Sequence, residues 1–510
     1  MRIGIDMSRT AETKTGLASY AESLVAGLAR VDRNNRYVVY PYTWHCFVRG
    51  HGRAFCPDAP NFVRSRRWLP RRLINRLWEG GRVSKDWLVG DPVDVFFSPF
   101  HAVPPRRMGR LVSTFHDVAF LTHPEFATEE NRRFCAEQLE LARCNADAFI
   151  TVSQHSKAEL VQYGGVPAER ITVVLEAADP RYRRDEALPL PPRLRQLVGG
   201  DGRFHLYGGS VEPRKNLFTL VHAYARLRQK VSSPPPLVIA GGSGWKNSNM
   251  HAAIDELGLT EHVRLAGFVT DAELVALYNR ALAFVFPTIH EGFGLPVVEA
   301  MSCGAPVVTT RVASIPEVGG EAVLYCEEPT DADELAAALA RVVEDADLRA
   351  RLSQAGQTRA ATFSWDRAAR ETLAVFEATH RATTRPLHAL AVGEDERGLG
   401  RGWHGLERDG ERPYRWMSGR ATLSLEAPPG ARLGIEAASP MAGQTLSVRA
   451  GSRLLATLPM QPGWQTYAVP GPSRSGPTTL TLGVTPVLPQ HLKGEDRREL
   501  AAMVRRVGFG

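Results

Sequence analysis

Two successive stretches of this sequence alternate short apolar runs with amphipathic segments, and no other feature restricts the fold as strongly. In the first stretch, "RIGID", "RYVVY", "DVFFSPF", "RLVSTF", "DAFITVS" and "ITVVL" read as buried strands, while "GLASYAESLVAGLARV" and "NRRFCAEQLELARCNA" carry helical periodicity. Strands that alternate with helices imply a parallel sheet covered on both faces. The segment "EALPLPPRLRQLVGGDG" breaks the pattern with prolines and glycines, as an interdomain linker does. The alternation then restarts, with "FHLYGGS", "PLVIAGG", "VRLAGF", "AFVFPT", "PVVTT" and "AVLY" as strands and "DAELVALYNRAL" and "DADELAAALARVVED" as helices. The expectation is an α/β architecture of two tandem doubly wound, Rossmann-like domains over residues 1–187 and 203–385. Ligands then sit beyond the strand carboxyl ends, in the cleft between the halves.

After about residue 385 the pattern changes. A Gly- and Arg-rich connector, "RPLHALAVGEDERGLGRGW", leads into "ATLSLEA", "RLGIEAA", "TLSVRAG", "LLATLPM", "QTYAVPG" and "TTLTLGV". Short alternating runs punctuated by Pro, Gly and Ser predict an all-β sandwich over residues 400–510. A length of 510 residues accommodates roughly three such domains. The 44% hydrophobic and 23% charged composition can fill their cores.

Six cysteines without a CxxC pair or metal-type spacing indicate neither a zinc site nor a disulfide framework, which fits a reducing cytoplasm. The opening "MRIGIDMSRT" places Asp6 after a very short apolar stretch, so it reads as a first strand and not as a signal-peptide core. No apolar run approaches the roughly 18 to 20 residues of a membrane-spanning helix. A net charge of +7 and a pI near 9.2 admit a polyanionic partner, a membrane surface or a phosphorylated substrate without choosing among them. Nucleic acid is not expected, because no nucleic-acid-binding module is present.

Two stretches carry the chemistry. In "HEGFGLPVVEAMSCGAPVV", Glu291 falls at a strand's carboxyl end and Glu299 about a turn into the following helix, on either side of a glycine turn. Facing a cleft, the pair could hold the hydroxyls of a sugar and of a ribose. The alternative is an acidic residue near a helix N-terminus, stabilising by roughly 0.3 to 1 kcal/mol, plus a solvated helix glutamate. In "YGGSVEPRKNLFTLVHAY", a strand, a glycine turn and a helix follow in order, with Arg214 and Lys215 at the helix entrance. A diphosphate there would meet two cations and the positive end of a helix.

The ordered set "EPRKN", "GFVTDAELVALYNRA", "EGFGLPVVEAMSCGAPVVTT" and "SIPEVGGEAVLY" resembles the donor half of the family-four retaining glycosyltransferases of the GT-B fold. "GLASYAESL", "TFHDVAF" and "TVSQHSKAEL" in the first half resemble the same family, so the likeness runs from residue 1 to about 380. It implies that Arg214 and Lys215 neutralise the leaving nucleotide diphosphate, that Glu291 holds donor-sugar hydroxyls and that Glu299 holds the ribose. Gly294 and Leu295 would offer backbone N–H groups near the sugar and phosphates. Gly16 would let the first helix approach the diphosphate, and Val269, in "GFVT", would lie against the base. His116 would lie near the reacting carbon and the acceptor. The likeness also implies a nucleotide sugar as substrate, a saccharide acceptor that is often lipid-linked, and no bound metal or other cofactor. The chain departs from the family's common pattern in "VVLEAAD", where Glu176 and Ala177 replace an Asn-Gly pair, and in having one glycine near residue 16 instead of two.

The basic, tryptophan-containing stretch at residues 64–88 could lie on an anionic membrane at the cytoplasmic face or pack on the first domain with a solvated basic face. In the β region, Trp403, Tyr414, Trp416, Trp464 or Tyr467 could stack on sugar rings or fill the sandwich core. Together these features lead to the expectation of a hexosyltransferase using GDP-mannose in surface-polysaccharide assembly. A UDP-sugar enzyme of the same fold and a non-catalytic glycan-binding scaffold are the alternatives.

Overall fold

A computed structural model describes residues 1–510 apart from 12–15, 41–53, 66–91, 101–108, 186, 199–201, 243–247, 383–386, 395, 397, 401, 474, 491–492, 495 and 497. Most of the basic stretch at 64–88 therefore lies outside the described residues.

The first unit is a seven-stranded parallel sheet of β1 (Arg2–Asp6), β2 (Arg36–Tyr40), β3 (Phe62–Arg64), β4 (Val95–Ser98), β5 (Arg110–Thr114), β6 (Ala148–Thr151) and β7 (Ile171–Val173). Its strand order is β3-β2-β1-β4-β5-β6-β7, which reverses direction between β1 and β4. The second unit repeats the plan in β8 (His205–Gly208), β9 (Leu237–Ala240), β10 (Val263–Gly267), β11 (Ala283–Phe286), β12 (Val307–Thr310) and β13 (Leu324–Cys326), ordered β10-β9-β8-β11-β12-β13. Every residue of β4, β8, β9, β11 and β12 is buried, the signature of strands with helices on both faces. The order reverses again between β8 and β11, and loops at such a switch point open a crevice at the strand carboxyl ends.

The helix Trp365–Arg381 belongs to the second stretch in sequence but packs on the first unit. It lies along the helix Gly16–Val31, and Phe376 meets Phe97 of β4 with ring centroids 5.1 Å apart. A Cβ added at Gly27 would come within 2.8 Å of the Trp365 carbonyl oxygen, so glycine there permits the close approach.

The C-terminal region is a sandwich of two antiparallel sheets. One contains β14 (Ala389–Ala391), β15 (Trp403–Asp409), β16 (Arg412–Met417), β18 (Arg432–Ser439), β21 (Gly463–Pro470) and β23 (Ala502–Phe509). The other contains β17 (Arg420–Ala427), β19 (Thr445–Ala450), β20 (Arg453–Pro459) and β22 (Gly476–Thr485). The alternation along β17, with Ala421, Leu423, Leu425 and Ala427 inward, supplies one wall of its core. Tyr467 is buried in that core and Trp403 packs against it, which removes both from the set of exposed sugar-stacking candidates. Tyr414, Trp416 and Trp464 form a half-buried cluster elsewhere, with Arg505 stacked 3.7 Å from the Trp464 ring.

The sandwich docks on the first unit through charge. Arg415, wholly buried, donates to Glu396 at 2.7 and 2.8 Å and pairs with Glu140 at 2.6 Å, while Arg143 reaches Glu396 at 2.9 Å. Asn145 donates to the Leu399 carbonyl beside them at 2.6 Å.

Candidate active site

After β8 the chain turns through a short 3-10 segment, Pro213–Lys215, and Asn216 adopts a left-handed conformation (φ 58°) before the helix Leu217–Lys230 begins. Asn216 is held by its own side chain, which donates to the Pro329 carbonyl and accepts from Thr219. This turn aims Arg214 and Lys215 at the loop that follows β11. Glu291, on that loop, accepts from Arg214 Nη1 at 2.8 Å, from Lys215 Nζ at 2.5 Å and from Thr288 Oγ1 at 2.9 Å. Arg214 Nε also donates to Glu212 at 2.9 Å. Backbone bonds bind the two loops together, since the Arg214 carbonyl accepts from both the Ile289 N–H and the Thr288 hydroxyl.

Two carboxylates and two cations thus share one largely buried cluster. Burial opposes ionisation of Glu291, but Arg214 and Lys215 overcome it and bring its pKa down to about 2. Burial and the neighbouring Arg214 act the other way on Lys215, lowering its pKa below the usual lysine value. Glu212 and Thr288 escaped the sequence reading. Glu212 adjoins the "PRK" triplet, and that adjacency to the two cations was the one available signal for it.

Gly294 takes φ 106°, a conformation that side-chain-bearing residues rarely adopt, and a Cβ there would meet Ile315 at 2.8 Å. The helix Leu295–Ser302 starts immediately after it, and Leu295 and Glu299 line a pocket with Ser19 and Ser23 of the first helix, Ala177 and Asp271. Glu299 therefore faces the cleft. Its hydrogen bond from the Tyr278 hydroxyl is long, 3.5 Å, and burial reinforced by Asp271 and Asp179 pushes its pKa up to about 8. Arg181, the nearby cation, is engaged by Asp179 and Asp271.

The remaining expected site residues are placed as follows. Gly16 opens the first helix at an exposed position, where an added Cβ would touch nothing within 4 Å. Val269 is half-buried between β10 and the helix Asp271–Arg280, next to an exposed Phe268. His116 is buried at the end of β5, with Nδ1 3.2 Å from Glu176 and Nε2 3.1 Å from the Pro99 carbonyl oxygen. Both ring nitrogens thus face acceptors of the first unit. Its backbone, in contrast, meets the donor loop: a Cβ on Gly292 would lie 2.2 Å from the His116 carbonyl oxygen.

The two units close on each other around this point. Ser153 donates to the Gly292 carbonyl at 2.7 Å, and Ser156 to the same carbonyl at 3.2 Å. Glu317 of the second unit accepts from the backbone N–H groups of Gln154 and His155 at 2.8 and 2.7 Å, placing a carboxylate at the start of the helix Gln154–Gln162.

Comparison with known proteins agrees with this geometry. Residues 195–359 match the family described as "Glycosyl transferases group 1", and residues 14–182 match "Glycosyltransferase Family 4". The O-antigen chain mannosyltransferase B of Escherichia coli is 32% identical over 331 residues, 64% of this chain and 83% of that protein. The MMP alpha-(1->4)-mannosyltransferase of Mycolicibacterium hassiacum is 32% identical over 231 residues, 45% of this chain and 53% of that protein. Among solved structures, sucrose-phosphate synthase from Thermosynechococcus elongatus superposes with a TM-score of 0.56 at 20% identity, covering 75% of this chain and 100% of that one. With two facing doubly wound units and a sandwich added behind them, the chain belongs to the family-four glycosyltransferases of the GT-B fold.

Proposed function

We propose that this glycosyltransferase moves mannose from GDP-mannose, with retention at the anomeric carbon, onto a saccharide acceptor during assembly of a surface polysaccharide. The observation that carries the reading is the cluster of Arg214, Lys215 and Glu291 at the carboxyl ends of β8 and β11, next to the close approach of Gly292 to His116 of the first unit. Mannose is favoured because both relatives named above are mannosyltransferases.

In this reading an acceptor hydroxyl oxygen bonds to the sugar's anomeric carbon as the bond from that carbon to the diphosphate oxygen breaks. The hydroxyl proton leaves with the diphosphate, and the negative charge that develops on this leaving group meets Arg214 and Lys215. Fixed cations in a water-poor pocket favour that charge far more than the same groups would in water. Two protein cations do the work a divalent ion does elsewhere, so the transfer itself calls for no metal. Glu291 holds donor-sugar hydroxyls with the acceptor capacity its three hydrogen bonds leave. Glu299 receives the ribose, and Gly294 and Leu295 bring backbone to the phosphates. His116, tethered to Glu176, shapes the acceptor side. A lipid-linked acceptor is part of the proposal, with residues 64–88 as its contact to the inner face of the membrane. No helix among the described residues is long and apolar enough to cross a bilayer.

Thermal unfolding with GDP, UDP or ADP tests the donor. A nucleotide at about 100 times its Kd adds roughly 2.7 kcal/mol to the native state. GDP is expected to raise the Tm of the wild type and not that of Arg214→Ala, each protein being compared with its own ligand-free transition. Selective stabilisation by UDP would reassign the donor to a UDP-sugar, and no response to any nucleotide would remove the donor site.

A further inference from the structure

Beside the diphosphate-facing cluster, the two units meet again through three side chains of metal-ligating type. His155 and Glu159 stand one turn apart on the helix Gln154–Gln162 of the first unit, and His290 comes from the second unit's loop after β11. Glu159 Oε1 lies 3.3 Å from His155 Nε2 and 3.1 Å from His290 Nε2, and all three ligand atoms fall within 4.8 Å of one another. His290 and Glu159 are buried, whereas the His155 side chain keeps 33% of its exposure and provides a path from solvent. Nε2 of His155 is itself buried and makes no hydrogen bond among the described residues despite its nearness to the carboxylate.

These separations resemble those around a tetrahedral ion. Ligand atoms bound at about 2.0–2.1 Å in tetrahedral geometry stand about 3.3 Å apart. Two of the three edges already have that length, and rotation of the partly exposed His155 side chain can shorten the third. Two imidazoles and one carboxylate form a donor set that zinc accepts, with a fourth position left for water.

We propose that His155, Glu159 and His290 bind a zinc-class divalent ion that clips the two α/β units together across the mouth of the cleft. The ion is separate from the transfer chemistry. It ties the first unit directly to the residue preceding Glu291, so its occupancy holds the closed arrangement and slows exchange of whatever occupies the cleft.

The test uses full-length protein without a histidine tag, stripped with a chelator and titrated with zinc against a chromophoric zinc indicator. Wild type is expected to hold one equivalent more than His155→Ala, and Glu159→Gln is expected to lose the same equivalent. The zinc-free thermal transition of His155→Ala, a change at a partly exposed helix position, is expected to match that of the wild type and shows that the lost equivalent is not lost fold. X-ray absorption on the zinc-loaded wild type is expected to show nitrogen and oxygen ligands near 2.0–2.1 Å. Equal zinc stoichiometry in wild type and His155→Ala overturns the proposal, as does a thiolate-containing shell, which would assign the ion to the cysteines.

Discussion

Two clusters in this molecule have the same charges and different surroundings. In the cleft, Glu212 and Glu291 face Arg214 and Lys215; at the seam between the first unit and the sandwich, Glu140 and Glu396 face Arg143 and Arg415. Both sum to zero. At the seam, however, Arg415 has no exposure and every edge of its guanidinium is used, with a bidentate grip on Glu396, a bridge to Glu140 and an Nη1 bond to the His404 carbonyl. In the cleft, the Arg214 side chain keeps 26% of its exposure, and its Nη2 makes no hydrogen bond among the described residues. Burial of balanced charge therefore does not distinguish the two clusters; the spare donor at the strand carboxyl ends does.

The largest expected effect comes from breaking the seam. Arg415→Met leaves Glu140 and Glu396 to share the single cation Arg143. One buried negative charge then goes uncompensated, at an expected cost of about 3–5 kcal/mol in denaturant unfolding. The protein that remains folded should still bind nucleotide with wild-type affinity, and a matching loss of affinity would show that the seam is coupled to the cleft. Next, Lys215→Met is expected to lower the transfer rate about 10²- to 10³-fold, the usual effect of losing one donor to developing charge. A loss under tenfold in steady-state kinetics would separate this cluster from the diphosphate.

A smaller effect sharpens the contrast between the two glutamates. With the Glu299 pKa near 8, about one molecule in ten carries the carboxylate at pH 7. Nucleoside diphosphate affinity measured by calorimetry is therefore expected to rise about tenfold from pH 7 to a plateau above about pH 9, and to stay flat in Glu299→Gln. The stability signs are opposite for the two residues. Glu291 contributes stability above its unfolded pKa near 4.5 that is lost as the pH falls toward 2, whereas the native state retains the Glu299 proton, so its term weakens stability as pH rises from about 4.5 to 8. The smallest expected effect is that of Glu317→Gln, about 0.3–1 kcal/mol read from Tm, because it removes one charge from a helix start.

Much of this was legible in the sequence where the signal was local. Arg214, Lys215, Glu291 and Glu299 sit at fixed offsets from glycine turns and strand ends, so their neighbourhood announces them. What escaped depends on residues far apart in the chain: Glu176 beneath His116, Glu159 beside His290, and the return of the helix Trp365–Arg381 to the first sheet. Apolar periodicity indicates that a helix will bury one face but not which sheet receives it. The strand β23 was missed for a related reason, since "AAMVRRVGFG" places adjacent arginines within a run that becomes the centre of a sheet.

The returning helix has a mechanical consequence. The chain crosses between the two α/β units once after β7 and again before Trp365, so each unit is anchored to the other at two places. A body pinned at two points keeps one soft movement, a swing about the line joining the pins, and loses the freedom to slide or drift away. Separation of the two units is then the motion of a door on two hinges, and a nick in either crossing leaves the door hanging on the other.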